Sequence, residues 1–156
     1  MGDPFTSEQR AAVMRRVKGR DTTPELKVRR TLWRLGFRYR LQRRDLPGKP
    51  DLAMAGRRLA VFVHGCFWHG HDCRRGARAP KANAQYWSDK IARNRARDDA
   101  TRRRLIAEGW RGLVIWECAL RRADLDQALD RAVRDDQAAW TELSSETSSA
   151  GGDSTA

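Results

Sequence analysis

No apolar run in this chain approaches the roughly 20 residues that a membrane-spanning helix needs, and its first residues lack the apolar region of a secretory signal. The expectation is an intracellular, cytoplasmic protein that neither crosses nor needs a membrane. Acidic residues are in short supply too: 20 Asp and Glu stand against 32 Lys and Arg, a net charge of +12 over 156 residues. Such a surplus favours a polyanionic partner, and nucleic acid fits better than an anionic membrane surface. Three cysteines cannot all pair with one another, and a reducing compartment disfavours disulfides, which leaves thiolate ligands or plain buried thiols. No internal repeat is visible, and 40% apolar residues suffice to fill the core of one compact domain.

The pattern along the chain is that of an α/β domain. Residues 1–20 form a basic amphipathic stretch carrying Val13, Met14 and Val17, a mobile arm or short helix. Thr23 as a hydroxyl cap, Pro24 at the first helical position and Glu25 at the positive dipole end predict a helix over 24–35. Leu26, Val28, Leu32 and Leu35 supply its apolar face and Gly36 its stop. The segments FRYRL, LPGKPDLAMAG and RRLAVFVHG read as a meander of three short strands separated by Gly and Pro-Gly turns. Residues 84–108 contain no Gly or Pro and predict a long exposed helix ending at Gly109. A buried strand over 110–117 follows, then helical spacing over 123–140 with Leu125, Leu129, Val133 and Trp140 inward. The division is an arm over 1–20, a domain over 21–140 and a solvated, disordered tail over 141–156.

All three histidines and two of the three cysteines fall in HGCFWHGHDC, residues 64–73. Cys66, His71 and Cys73 can converge on one ion, and Cys118, just past the strand over 110–117, can be delivered to the same end of the sheet. Thiolates with an imidazole suit tetrahedral zinc in a closed, structural site. Buried free thiols with a surface histidine remain the plain alternative. His64 and His69 are then spare. Asp51 opens one strand beside the strand ending Val63-His64, the way metal-dependent nucleases place a Mg²⁺ carboxylate. That neighbouring strand lacks the acid-x-Lys of such enzymes. The Val63 backbone carbonyl and water would have to complete the metal site, with a histidine as base. The adjacent Phe67 and Trp68 suit a wedge that unstacks a base step as well as they suit the core.

Taken together, MRRVKGRDTTPE, GKPDLA, FVHGCFWHGHDC, YWSDKIARN and GWRGLVIWECAL resemble the very-short-patch-repair (Vsr) DNA mismatch endonuclease family, over roughly residues 10 to 120. The resemblance implies a restriction-endonuclease-like α/β fold: a central mixed sheet flanked by helices, with a structural zinc. It implies nicking of double-stranded DNA 5′ to the thymine of T·G mismatches left by deaminated 5-methylcytosine. Under it, Asp51 and the Val63 carbonyl hold Mg²⁺, Glu25 acts through water on the metal, His69 is the base and His64 lies beside the scissile phosphate. Phe67, Trp68 and Trp87 become intercalating aromatics, with Met14 entering from the minor groove. Mismatch-repair proteins, a repair polymerase and a ligase are the implied partners of a monomer in the bacterial cytoplasm, associated with the nucleoid.

Val63 departs from the family, which often has threonine there, and Gly70 and Asp72 make the turn less histidine-rich than in some relatives. Glu25 is also well explained as a first-turn dipole partner, and the arginines of 84–108 as a solvated face or a phosphate grip. Trp110 and Trp116 read as core. Two rival functions stay open: a non-catalytic zinc-stabilised protein that binds distorted duplex, and an RNA-binding or ribosome-associated basic protein.

Overall fold

The computed structural model describes residues 22–41, 43–73 and 81–145, and the backbone of 148–150. The expected arm over 1–20, Met14 on it, and residues 151–156 of the expected tail lie outside the described residues.

Helix α1 (Thr23–Arg34) begins where the Thr22 hydroxyl accepts the Glu25 N–H at 3.4 Å, with Pro24 in the first turn. The cap is therefore Thr22 and not Thr23. Gly36, at φ +96°, ends the helix in the left-handed conformation that glycine takes without strain. The chain then forms the expected meander of β1 (Arg40–Leu41), β2 (Leu52–Met54) and β3 (Leu59–His64), each antiparallel to the next. Helix α2 (Ala84–Ala107) crosses back to β4 (Arg111–Trp116), which lies parallel to β3. Helix α3 (Leu125–Arg134) makes a second crossover to β5 (Trp140–Leu143), parallel to β4, and β6 (Ser148–Ala150) closes the far edge antiparallel. The six strands lie in sequence order.

Alternation along the central strands assigns each face a helix layer. Leu59, Val61, Leu113, Ile115 and Leu143 pack with Val28 and Leu32 of α1 and with Leu129 and Val133 of α3. Ala60, Phe62, Val114, Trp116 and Trp140 face the other way, onto Leu105 of α2. Burial on both faces explains why β3 and β4 read as unbroken apolar runs. Strand β4 carries Gly112 because the Trp140 ring fills the space beside it: a Cβ there would meet ring atoms at 2.0 Å. The parallel register Val63↔Ile115 and His64↔Trp116 brings the carboxyl ends of β3 and β4 level. Open α/β sheets bind their ligands at that end.

Two sequence expectations are corrected here. Helix α3 stops at Arg134, and Trp140, expected on its inner face, starts β5. The Leu125, Leu129, Val133 spacing continues by chance to residue 140, whereas Trp140, Thr141 and Leu143 are all buried, as in a strand covered on both faces and paired to β4. The boundary at 141 likewise fails, since Thr141 and Leu143 are buried in β5. Leu143→Ala is thus expected to destabilise the fold by about 2–5 kcal/mol, the cost of emptying a core site. Chemical denaturation checks it; a change within about 0.5 kcal/mol would return Leu143 to a solvated tail.

Candidate active site and metal centre

Asp51 sits immediately before β2, and the pairing Leu52↔Val61 carries it alongside the end of β3. There its Oδ2 accepts the Val63 N–H at 2.7 Å. Burial pushes the Asp51 carboxyl up to about 6; the Val63 N–H opposes that rise and the neighbouring Glu25 carboxyl adds to it. Glu25, itself buried in the first turn of α1, neighbours Asp51 and lies 3.4 Å from the Arg29 guanidinium. Two carboxyl groups drawn together out of water could hold a hard cation.

Across from these acids stand the two spare imidazoles. His64 ends β3 and His69 lies in the following bend, with their rings stacked parallel at 3.7 Å and 1°. His69 Nδ1 is 2.6 Å from Oδ2 of Asp98, a residue of α2. Burial, reinforced by His69, lowers the His64 pKa to about 3, so this ring is neutral at pH 7. The pair with Asp98 was not foreseen in the sequence, because α2 read as a solvated helix.

The bend is in fact docked on one stripe of α2. Asn94 Nδ2 donates to the Trp68 carbonyl at 2.8 Å. Gly70, at φ +66°, sits so close that a Cβ would lie 2.7 Å from Ile91 and 2.9 Å from Arg95. Trp87, Ile91, Asn94, Asp98, Thr101 and Leu105 recur at helical spacing, and that periodicity was the signal that could have singled out Asn94 and Asp98.

The other half of the bend meets Cys118. One ligand atom each from Cys66, His71, Cys73 and Cys118 lies within 4.8 Å of the others, with no disulfide among them. Cys118 Sγ is 3.7 Å from His71 Nδ1 and receives the Ser145 N–H at 3.3 Å. Burial raises the Cys66 thiol. This donor set could hold a metal ion that prefers sulfur and imidazole. The same bend carries Phe67 and Trp68, neither free in solvent nor sunk in the core. They form a half-buried triangle with Trp87, ring centroids 5.3 to 5.6 Å apart.

One cleft of about 640 Å³ gathers Glu25, Asp51, Val63, His64, His69 and Asp98, with Lys49, Arg95 and Arg102 on its walls. The structure therefore brings together the two acids, Val63 and both spare imidazoles in one place, the four sulfur and imidazole donors in a second, and the three rings in a third. Met14 lies outside the described residues.

Comparison with known proteins gives the family. The family model described as DNA mismatch endonuclease Vsr matches residues 2–75. The DNA mismatch endonuclease Vsr of Escherichia coli is 39% identical over 121 residues, 78% of this chain and 77% of that protein. The chain belongs to the Vsr family of DNA mismatch endonucleases. Other Vsr-like relatives carry nicking names: V.XorIIP of Xanthomonas oryzae is a type II nicking enzyme 51% identical over 77% of this chain and 88% of its own length. V.NmeAIP of Neisseria meningitidis, another type II nicking enzyme, is 40% identical over 86% and 96%. The Vsr family implies the restriction-endonuclease-like fold, and the helix-flanked mixed sheet accords with it.

The Asp51 carboxyl has a consequence for stability. Its pKa is about 6 in the fold against an ordinary aspartate value of 3.8, so the unfolded state ionises first. The fold is penalised progressively as pH rises from 3.8 to about 6. At neutral pH that separation corresponds to roughly 3 kcal/mol. Asp51→Asn, which still accepts the Val63 N–H, should therefore melt higher than the parent at pH 7.5 without added divalent ions. Thermal melts across pH check this, the gap narrowing toward pH 4; equal melting at pH 7.5 would contradict it.

Proposed function

We propose that the chain nicks one DNA strand on the 5′ side of the thymine in T·G mismatches, by Mg²⁺-dependent hydrolysis of the phosphodiester. The observation that carries this reading is the meeting, in one cleft, of the Asp51–Glu25 acid pair with the His69–Asp98 pair. A protein that only bound DNA would have no use for either.

The acid pair fits a divalent cation: Asp51 and the Val63 carbonyl would hold it, with Glu25 adding a second negative charge alongside. The N–H and C=O of a residue in an extended strand project to the same side, so the Val63 carbonyl faces the carboxylate that its N–H binds. Pro50, the residue before Asp51, has no N–H to occupy that carbonyl. Only the Val63 main chain is used, which is why valine serves where relatives often have threonine. When bound, Mg²⁺ neutralises the phosphate and polarises its P–O bonds.

Asp98 holds the Nδ1–H of His69, which leaves Nε2 as the acceptor that takes a proton from the attacking water. His64, neutral in its buried place, offers an N–H hydrogen bond to the phosphate rather than a charge. Phe67, Trp68 and Trp87 enter the stack at the mispaired step, joined by Met14 from the arm. A mismatched step is cheaper to open, by the few kcal/mol that unstacking costs, which is the source of selectivity. Lys49, Arg95 and Arg102 grip phosphates without reading sequence. Cys66, His71, Cys73 and Cys118 fit a zinc ion, which would fix the bend from within. The protein acts as a monomer in the cytoplasm, and a polymerase and ligase, with mismatch-repair proteins, follow the nick.

Duplexes labelled on each strand and carrying T·G, other mismatches or none test the reading, with and without Mg²⁺. Nicking 5′ to the mispaired thymine is expected with Mg²⁺ alone, and Asp51→Ala and His69→Ala should each lower its rate by about 10² to 10⁴-fold. Variants that cut as fast as the parent would overturn the assignment; tight mismatch binding without any cut would favour a non-catalytic binder.

A further inference from the structure

Trp116 is buried at the end of β4 and looks, from its alternation, like one more core residue. Its surroundings are unusual. All three imidazoles of the chain pack against its indole: His71 stacked at 4.4 Å and 17°, His64 edge-on at 5.3 Å and 71°, His69 at 6.2 Å and 71°. The register His64↔Trp116 fixes the two backbones side by side. One ring thus touches both the sulfur–imidazole cluster, through His71, and the stacked pair that lines the same cleft as Asp51.

The two rings of that pair are not equally anchored. His69 is held by Asp98 at 2.6 Å and by its backbone in the bend. His64 packs against three rings, His69 at 3.7 Å, Trp116 at 5.3 Å and Phe62 at 5.8 Å, and its nitrogen lies within 4.8 Å of the Asp98 carboxylate, farther than the 2.6 Å at which Asp98 holds His69. Aromatic pairs prefer an offset to a full face-to-face stack, so stacking alone does not hold two parallel imidazoles directly over one another. A ring set across them at 71° blocks the slide into an offset.

We propose that Trp116 is a positioning residue for phosphodiester cleavage: its indole, seated against His71, fixes where the His64–His69 stack stands in the cleft. It touches no substrate. The inference rests on the reading of His64 and His69 as catalytic. It goes further in tying their placement to the sulfur–imidazole cluster through one side chain rather than through the backbone of the bend alone.

The test uses the full chain, purified without chelator, with Trp116→Phe and Trp116→Leu. Three quantities are measured together: metal content, affinity for a T·G duplex without Mg²⁺, and the single-turnover nicking rate with Mg²⁺. A misplacement near 1 Å costs about 100-fold in rate, so Trp116→Leu is expected to lose about that much while affinity stays within about twofold and metal content is unchanged. Phenylalanine keeps an aromatic face but cannot reach both partners, so Trp116→Phe should regain most of the loss and stay about tenfold below the parent. Because the chain has only three histidines, its imidazole NMR signals are few, and those of His64 and His69 should shift in both variants.

Should the leucine variant fail to fold, the phenylalanine variant carries the same comparison. Parent-like rates in Trp116→Phe and in any folded Trp116→Leu would overturn the proposal, as would a rate that falls only in step with metal content or affinity. His69→Ala is run alongside: if it is inactive while the Trp116 variants cut normally, this inference fails alone, and if it cuts normally the catalytic reading fails first.

Discussion

A bend of nine residues, 65–73, with no regular structure of its own carries two of the three imidazoles and two of the three clustered rings, so the chemistry we propose depends on what holds it still. Three backbone hydrogen bonds, from the N–H groups of His69, Gly70 and His71 to the carbonyls of Gly65, Phe67 and Cys66, tie the bend to itself and leave its placement on the fold to other contacts. From one side the bend is gripped by α2, through Asn94 on the Trp68 carbonyl, Asp98 on His69, and Ile91 with Arg95 filling the space over Gly70. From the other it is drawn to Cys118, just past β4, where three sulfurs and His71 crowd together. A metal ion there, as we propose, would convert four close contacts into a rigid knot. Without one, buried thiols would supply only weak contacts.

The half of the cleft that we propose is catalytic is where stability is given up. Asp51 and Glu25 are held close together and largely out of water, and the Asp51 carboxyl is raised as a result. His64 is held neutral by the same exclusion of water. Neither arrangement helps the fold. Each suits a phosphate and a divalent cation meeting in a dry site, where hydrogen bonds and charges act more strongly than in water.

Much of this was legible in the sequence, and the parts that were not share a cause. Asp51 could be read because Pro-Asp opens a strand whose hairpin partner follows within a few residues. The four sulfur and imidazole donors could be read because three lie within eight positions and a central strand delivers the fourth. The meander and the crossover strand β4 follow from local apolar runs and turns. Asp98, Asn94 and the role we assign to Trp116 were hidden because each acts on a partner far away in sequence. On α2, dense arginine masked the stripe from Trp87 to Leu105 that faces the bend. Strand β5 was hidden differently: Trp140 falls in phase with the apolar face of α3, and only the sheet shows that Thr141 and Leu143 belong inside. The Thr22 cap differs from the expected Thr23 by one position in a Thr-Thr pair that local chemistry cannot rank.

X-ray absorption at the zinc edge of the full chain, purified without chelator, tests most directly whether a metal knot shapes the bend. One zinc per chain is expected, with three sulfurs at about 2.3 Å and one nitrogen at about 2.0–2.1 Å. A chain that carries no zinc, or zinc in an oxygen-rich shell, would contradict the account.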